Sequence, residues 1–451
     1  LEFYLNVLYD GKVHFLSEWK MHMKTTISGF QWMAFMIAGS IVAPIAIADL
    51  FGLSPVETTG LVQRTMFVLG LSSLLQGLVG HRLPINEGPA GLWWGVFAIY
   101  AGLSTTLFSS NMETLRGLEG AMIVSGVAFI LLSLFKLIQK VATLFTPVVL
   151  GVYLLLLVLQ LSGSFINGML GVGYRQDGVD LPIGLFSLIL ILFTFYLSRH
   201  RITWVSQYSI LISLAAGWLI FSLLGFSKPI EFQTDKLIHL PTFFEFGRPI
   251  FDSGMITTAI FVTMLLLTNM IASIQVVDDI VSKSEKQEGR KVSYSRAGFV
   301  SGINQLLGGS FSAIGPVPIS GAAGFIATTN LTSILPFLLG SIFILISSLS
   351  PQIMTIFAAL PTPVGYAVTF VVFANMIRLS FFQFDQEKDT DRIRLVIGIS
   401  LMIGVGAMFV PSAAYKDVPP ILTSLLNNGL VLGSLTAIIV DQLTRKNRKS
   451  K

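Results

Sequence analysis

The chain has 451 residues, 53% of them hydrophobic and only 12% charged, with a mean hydropathy of +0.76. A soluble domain carries roughly 25% charged residues, so this composition excludes an ordinary soluble fold and indicates an all-α polytopic membrane protein. Cysteine is absent, which removes disulfides, thiol chemistry and Cys metal sites, and the net charge of +5 is spread over particular loops rather than gathered into a nucleic-acid-binding patch.

The opening stretch, Leu1 to Lys24, is mixed and charged; it reads as part of a cytoplasmic arm, 1–28, with no removable signal. Apolar runs long enough to cross a bilayer follow at 29–48, 59–79, 116–138, 145–163, 182–198, 206–226, 253–278, 295–312, 333–350, 362–379, 393–411 and 418–441. Two shorter runs, 84–104 and 316–331, are interrupted by Pro and Gly and bring the total to about fourteen. Basic residues collect in alternate connections. Lys12, Lys20 and Lys24 precede the first run, and Arg82, Lys136 with Lys140, and Arg199 with Arg201 stand in later ones. Lys283, Lys286, Arg290, Lys291 and Arg296 form a further group, then Arg378, Lys388, Arg392 and Arg394. Arg445, Lys446, Arg448, Lys449 and Lys451 close the chain in a basic tail, 442–451. The positive-inside rule places all of these on the cytoplasmic side, both termini included, and the mixed-charge 227–252 loop on the other.

The second half repeats the first. Phe67-Val68 with Gly70 and Leu74-Leu75 with Gly77 match Phe299-Val300 with Gly302 and Leu306-Leu307 with Gly309. Gly88-Pro-Ala-Gly91 matches Gly321-Ala-Ala-Gly324, and Thr146-Pro147-Val148 matches Thr362-Pro363-Val364. Two halves of seven spans must lie in opposite orientations, and inverted repeats with paired broken segments mark a secondary transporter whose site lies between the breaks.

The first break runs from Pro84 to Gly91 and the second from Gly315 to Gly324. Proline withholds an N–H and glycine admits close approach, so each break is expected to be a short extended piece leading into a half-helix with free N–H groups at its start. Non-helical backbone at membrane depth survives only where protein or a wet cavity satisfies it. Glu87, inside the first break, is an intramembrane carboxylate and hence a candidate for substrate binding and proton coupling; capping or packing is its structural alternative. Gly88 lets backbone approach a ligand, and Trp93 and Trp94 offer rings to stack on a planar substrate or simply fill space. Other polar residues within the runs are Gln31, Asn269, Ser273, Gln275, Asn304, Gln305, Asn375, Asn427 and Asn428; most such groups tie helices together.

Gly29-Phe-Gln31-Trp-Met-Ala-Phe-Met, ending at Pro44, resembles the first-span Gln-His signature of the nucleobase–ascorbate transporters, the family of uracil, xanthine and uric acid permeases. Leu83-Pro84 with Gly88, Leu144-Phe-Thr-Pro-Val-Val-Leu-Gly151 and the Gly-rich 308–329 segment resemble its third-, fifth- and tenth-span features. The resemblance implies fourteen spans in two inverted repeats. It also implies a substrate-carrying core (29–138 and 253–350) that moves against a gate (145–226 and 362–441), through which two copies form a homodimer. It puts Asn269 where the family's eighth-span glutamate stands, Ser273 one turn later, and Ser320, Gly321 and Ala322 at the tenth-span recognition pair. Trp32 replaces the first-span histidine. Glu87, where the family is apolar or neutral, would take over the missing carboxylate role. The expected function is therefore proton-coupled transport of a purine or pyrimidine base by alternating access in the cell membrane, with no cofactor. Gln31, Glu87, Gly88, Trp93, Trp94, Asn269, Ser273, Ser320, Gly321 and Ala322 are the candidate site. An anion carrier of the same architecture, a membrane-embedded enzyme and a transport-inactive sensor are the alternatives.

Overall fold

A computed structural model describes residues 23–230, 232, 236–285, 292–415, 418–419, 422–423, 426 and 428–449. Residues 1–22 of the predicted arm, Lys286, Arg290, Lys291, Asn427 and Lys451 lie outside the described residues.

The described chain is almost wholly helical. The first half contains α1 (Met23–Leu50, interrupted at Ile41), α2 (Pro55–Leu78), strand β1 (Glu87–Pro89), α3 (Gly91–Leu107), α4 (Asn111–Leu134), α5 (Ile138–Ala142), α6 (Pro147–Met169), α7 (Leu181–Ser198), α8 (Thr203–Gln207) and α9 (Ser209–Leu223). The second contains α10 (Ser253–Glu285), α11 (Tyr294–Ser310), strand β2 (Pro316–Pro318), α12 (Gly321–Thr329), α13 (Ile334–Ser348), α14 (Pro351–Ala358), α15 (Thr362–Asp385), α16 (Thr390–Met408) and α17 (Gly429–Lys449). By length and composition α1, α4, α6, α7, α10 and α15 can each cross a membrane, and α13 with α14, bent by 93°, adds a seventh if the pair is one span. The starts are written in the sequence. Ser54 and Glu57 form a capping box before α2, with Pro55 in its first turn. Thr146-Pro147 opens α6, and Asp180 with Pro182 opens α7, in the same way.

Each uninterrupted predicted run coincides with a helix, but the last is broken. Within 418–441, Leu422, Thr423 and Leu426 are helical, Asn428 is not, and α17 begins at Gly429 and continues through the predicted tail to Lys449. Asn428 is the reason: its Oδ1 accepts the Val431 N–H at 3.0 Å, so this residue caps a helix start instead of sitting inside a span. The short helices α5, α8 and α14 lie at or between the ends of the predicted runs and carry no helix signal of their own.

The helices form two groups. α2, α10 and α11 contact the strands and α4 and α13 pack on these helices, while α6, α7, α9, α15, α16 and α17 pack on one another. α15 against α1, and α3 against α6, join the two. Within the first group the repeats interlock. Gly70 of α2 lies so close to α13 that an added Cβ would meet Ser341 and Leu345 at 3.0 Å; Gly302 of α11, its repeat equivalent, meets Gly126 and Ile130 of α4 at under 3 Å. Small residues permit this backbone contact between helices.

A pair of arginines makes the symmetry explicit. Arg64 of α2 donates from Nε to the Ser312 carbonyl at 3.3 Å, and Arg296 of α11 donates from Nε to the Gly80 carbonyl at 2.9 Å. Donor with donor and acceptor with acceptor are separated by the same 232 positions in sequence as Gly70 and Gly302. Each repeat thus holds the turn at the end of the other's helix.

Candidate functional site

β1 and β2 pair antiparallel at the crossing of the two repeats, with Glu87 opposite Pro318, Gly88 opposite Val317 and Pro89 opposite Pro316. The ladder continues past its ends: Ala90 N–H bonds the Gly315 carbonyl at 3.0 Å, and Ile319 N–H bonds the Asn86 carbonyl at 2.9 Å. Prolines at three of the six strand positions leave few N–H groups to satisfy, and each strand is the other's edge. Both strands run into half-helices that open on glycine, α3 at Gly91 and α12 at Gly321. The structural repeat therefore matches Gly91 with Gly321, a correction to the sequence match of Gly88 with Gly321. Neither half-helix is capped by a side chain; in α12 the Ala322 and Ala323 N–H groups bond the Ile319 and Ser320 carbonyls at 3.1 and 3.0 Å, which leaves the N–H at the opening glycine of each half-helix for a ligand.

Helix α10 brings two predicted residues to the second strand. Asn269 Nδ2 and Ser273 Oγ both donate to the Pro318 carbonyl, at 3.3 and 3.0 Å. Asn269 is half-buried and Ser273 fully buried, so only the former keeps an open edge. Ser320 and Gly321 are exposed at the mouth of α12, next to Phe35 of α1, and Ala322 is buried behind them. Gly88 is required by contact: a Cβ there would meet the Ile319 side chain at 2.9 Å and Ser40 Oγ at 3.3 Å.

Glu87 lies on the other side of the strand. Its N–H donates to Ser73 Oγ of α2 at 2.9 Å, and its fully buried carboxylate sits beside Asn304 of α11. Neither carboxylate oxygen has a completed hydrogen bond, nor has either polar atom of Asn304. Trp93 is likewise committed inward. Its Nε1–H donates to Gln305 Oε1 at 2.7 Å, and Gln305 Nε2 donates to the Pro316 carbonyl at 2.5 Å, a clamp between α3, α11 and β2. Trp94 faces the second helix group, with ring centroids 5.5 Å from Phe165 and 5.7 Å from Phe373. Gln31 stands apart: it is exposed on α1, nine residues and about 13 Å of helix rise before Ser40.

So the second strand gathers Asn269 and Ser273 at the Pro318 carbonyl, with Ser320 and Gly321 just beyond it, while Glu87 turns towards Asn304 and Trp93 braces the pair. The sequence reading passed over two buried charges, Arg64 and Glu119. Glu119 accepts a hydrogen bond from Ser312 Oγ, whose hydroxyl in turn accepts the Glu245 N–H at 2.8 Å, and this fastens the 242–250 segment to the ends of α4 and α11. Charged letters inside runs 59–79 and 116–138 were the available signal. Among the described residues no group of His, Asp and Glu is arranged to hold a metal ion by clustering.

Comparison with known proteins places this architecture. Residues 23–413 match the model of the permease family that includes xanthine and uracil permeases. The chain is 52% identical over 430 residues, 95% of its length and 97% of the relative's, to YwdJ of Bacillus subtilis, whose name assigns it provisionally to the purine permeases. It is 25% identical over 420 residues to the uric acid permease PucK of the same organism, covering 91% of this chain and 93% of that one. Among solved structures, the transmembrane domain of the cyanobacterial bicarbonate transporter BicA superposes with a TM-score of 0.60 at 15% identity, covering 93% of this chain and 97% of that one. SLC26A9 superposes with a TM-score of 0.61 at 12% identity, covering 94% of this chain and 66% of that one. At these identities the likeness establishes the fold, with its core and gate, and nothing of the cargo.

Proposed function

Because this chain belongs to the nucleobase–ascorbate transporter family of permeases, we propose that it carries purine bases across the cell membrane as a proton symporter. Family membership makes it a multi-pass membrane carrier, not an enzyme. The choice of a purine over other bases rests on its 52% identity to a relative named for purine transport. The observation that carries the mechanism is the back-to-back pair of breaks, which brings two half-helix starts without side-chain caps, and Asn269 at Pro318, to the crossing of the repeats. A base laid there would accept hydrogen bonds from the N–H groups at Gly91 and Gly321 and exchange them with Asn269 and Ser320. Phe35 and the bulk of Trp93 behind the strands would define the slot's walls.

Transport would proceed by rigid movement of the core (29–138 and 253–350) against the gate (145–226 and 362–441), with a second copy bound through the gate and both termini in the cytoplasm. Glu87 would carry the coupling proton. Facing Asn304 and not the open face, it would act on the base through the strand to which both are attached. Among the described residues the fully buried carboxylate has no basic side chain bonded to it, so a proton or another cation is what would balance it there. Half-helix N-termini also suit an inorganic anion, and the solved neighbours include a bicarbonate transporter. No basic residue stands in either break, and Glu87 opposes an anion.

The direct test is binding of xanthine, uric acid, hypoxanthine, uracil, bicarbonate and sulfate to the purified protein by thermal shift. A purine should stabilise it and Asn269→Ala should weaken that effect by about tenfold, the loss of one hydrogen bond to a polar edge. Stabilisation by bicarbonate or sulfate with no response to bases would replace this reading with that of an anion carrier.

A further inference from the structure

Behind the strands lies a second polar pocket that base binding does not use. α2 and α11 cross antiparallel in a register set by three bonded pairs: Arg64 with Ser312, Gln76 with Ser301, and Gly80 with Arg296. In that register Ser72 falls opposite Asn304. Ser72, Glu87 and Asn304 are all fully buried, and apart from the Asn304 side chain set against the Glu87 carboxylate, the Ser72 hydroxyl, both Glu87 oxygens and both polar atoms of Asn304 have no hydrogen-bond partner. Ser73 Oγ, which accepts the Glu87 N–H, retains a free lone pair beside them. Buried polar atoms in folded proteins are nearly always satisfied, so four oxygens and an amide nitrogen left in this state on elements that the register brings together call for a ligand.

The chemistry of that ligand is narrow. Every candidate donor is a hard oxygen, from a carboxylate, an amide or hydroxyls, which selects an alkali or alkaline-earth cation over a transition metal. One carboxylate supplies one negative charge, so a single positive charge balances it, whereas a divalent ion would leave a buried excess. The charged residues on the packed elements are engaged elsewhere: Arg64 and Arg296 bond carbonyls at the two ends of the crossing, and α1 and β2 bring Ser40 and Pro318 to this strand.

We propose that Ser72, Ser73, Glu87 and Asn304 form a cage for Na+, which competes there with the coupling proton. The cage rests on the proposed role of Glu87 as the coupling residue but not on the identity of the cargo. Its groups stand on α2, β1 and α11, whereas Asn269 and Ser273 reach β2 from α10, so ion and base communicate through the strand pairing.

Na+ binding to the purified full-length protein, without any base, tests this apart from transport. NaCl should raise the melting temperature by about 3 °C or more over equimolar choline chloride or KCl at pH 8, and by much less at pH 5, where protons compete. Glu87→Gln, which keeps shape and removes charge, should abolish the Na+ effect; Ser72→Ala should raise the half-effective Na+ concentration by about threefold or more. A wild-type protein that responds equally to Na+, K+ and choline would overturn the proposal, as would a Glu87→Gln variant that keeps the Na+ response. Because the readout needs no substrate, failed uptake with an intact Na+ response would count against the base reading alone.

Discussion

Glu87 and Gly88 are neighbours that do opposite things because successive residues of a strand face opposite sides. Gly88 turns towards Ile319 and Ser40 with no room for a Cβ, while Glu87 turns towards Asn304. Gly88→Val should therefore force the strands apart. The expected cost is about 1–3 kcal/mol from overpacking, read as a lowered melting temperature together with lost base binding. Ser273→Ala isolates a different contribution. It removes one of two donors to the Pro318 carbonyl and leaves Asn269 as the other, so the loss should be about 1 kcal/mol, with base affinity changed less than by Asn269→Ala. A Ser273→Ala protein that bound bases worse than Asn269→Ala would reverse the assignment of the open edge.

At the scale of elements, the broken segments were legible in the sequence and their pairing was not. Pro84, Pro89 and Gly91, with Pro316, Pro318 and Gly321, rule out continuous helices, and proline placement alone locates the extended pieces. Which face Glu87 takes depends on register, and a shift of one residue would move it to the substrate side. The same limit explains Trp93: a tryptophan after a break reads equally as a stacking ring or a brace, and only the position of Gln305 decides it. Arg64 went unread because one charge barely lowers the hydropathy of a 20-residue run. Asn428 was misplaced because an Asn-Gly helix start was read as helix interior. The symmetric arginines give an element-scale prediction. Arg64→Met should destabilise the protein by about 3–5 kcal/mol, since it strips the counter-charge from buried Glu119 and frees the Ser312 carbonyl. The double variant Arg64→Met, Glu119→Gln should recover part of that loss in chemical or thermal denaturation.

For the whole molecule, two helix groups meeting along few contacts are suited to sliding, whereas each group is internally fastened. In the second helix group, Arg392 bonds Asp441 and Glu387 at 2.7 Å each, and Arg445 bonds Glu387 at 2.6 Å, tying α16, α17 and the end of α15 into one body. The boundary between groups includes Gly365 of α15, where an added Cβ would lie 3.1 Å from Val42 Cγ1 of α1. Since the chain has no cysteine, Val42→Cys with Gly365→Cys makes a clean cross-link at that boundary. Oxidation should stop uptake and reduction should restore it; uptake that continued through a complete cross-link would mean that the two groups do not move apart there.

The central claim is that a buried carboxylate behind the strands couples protons to a base held in front of them. Accumulation of radiolabelled xanthine or uric acid in proteoliposomes under an imposed inward proton gradient tests it most directly. Wild-type protein should concentrate the base only while the gradient lasts. Glu87→Gln should still bind the base and exchange it across the membrane, with affinity within about threefold of wild type, yet fail to concentrate it. Gradient-driven accumulation by Glu87→Gln at the wild-type level would contradict the account.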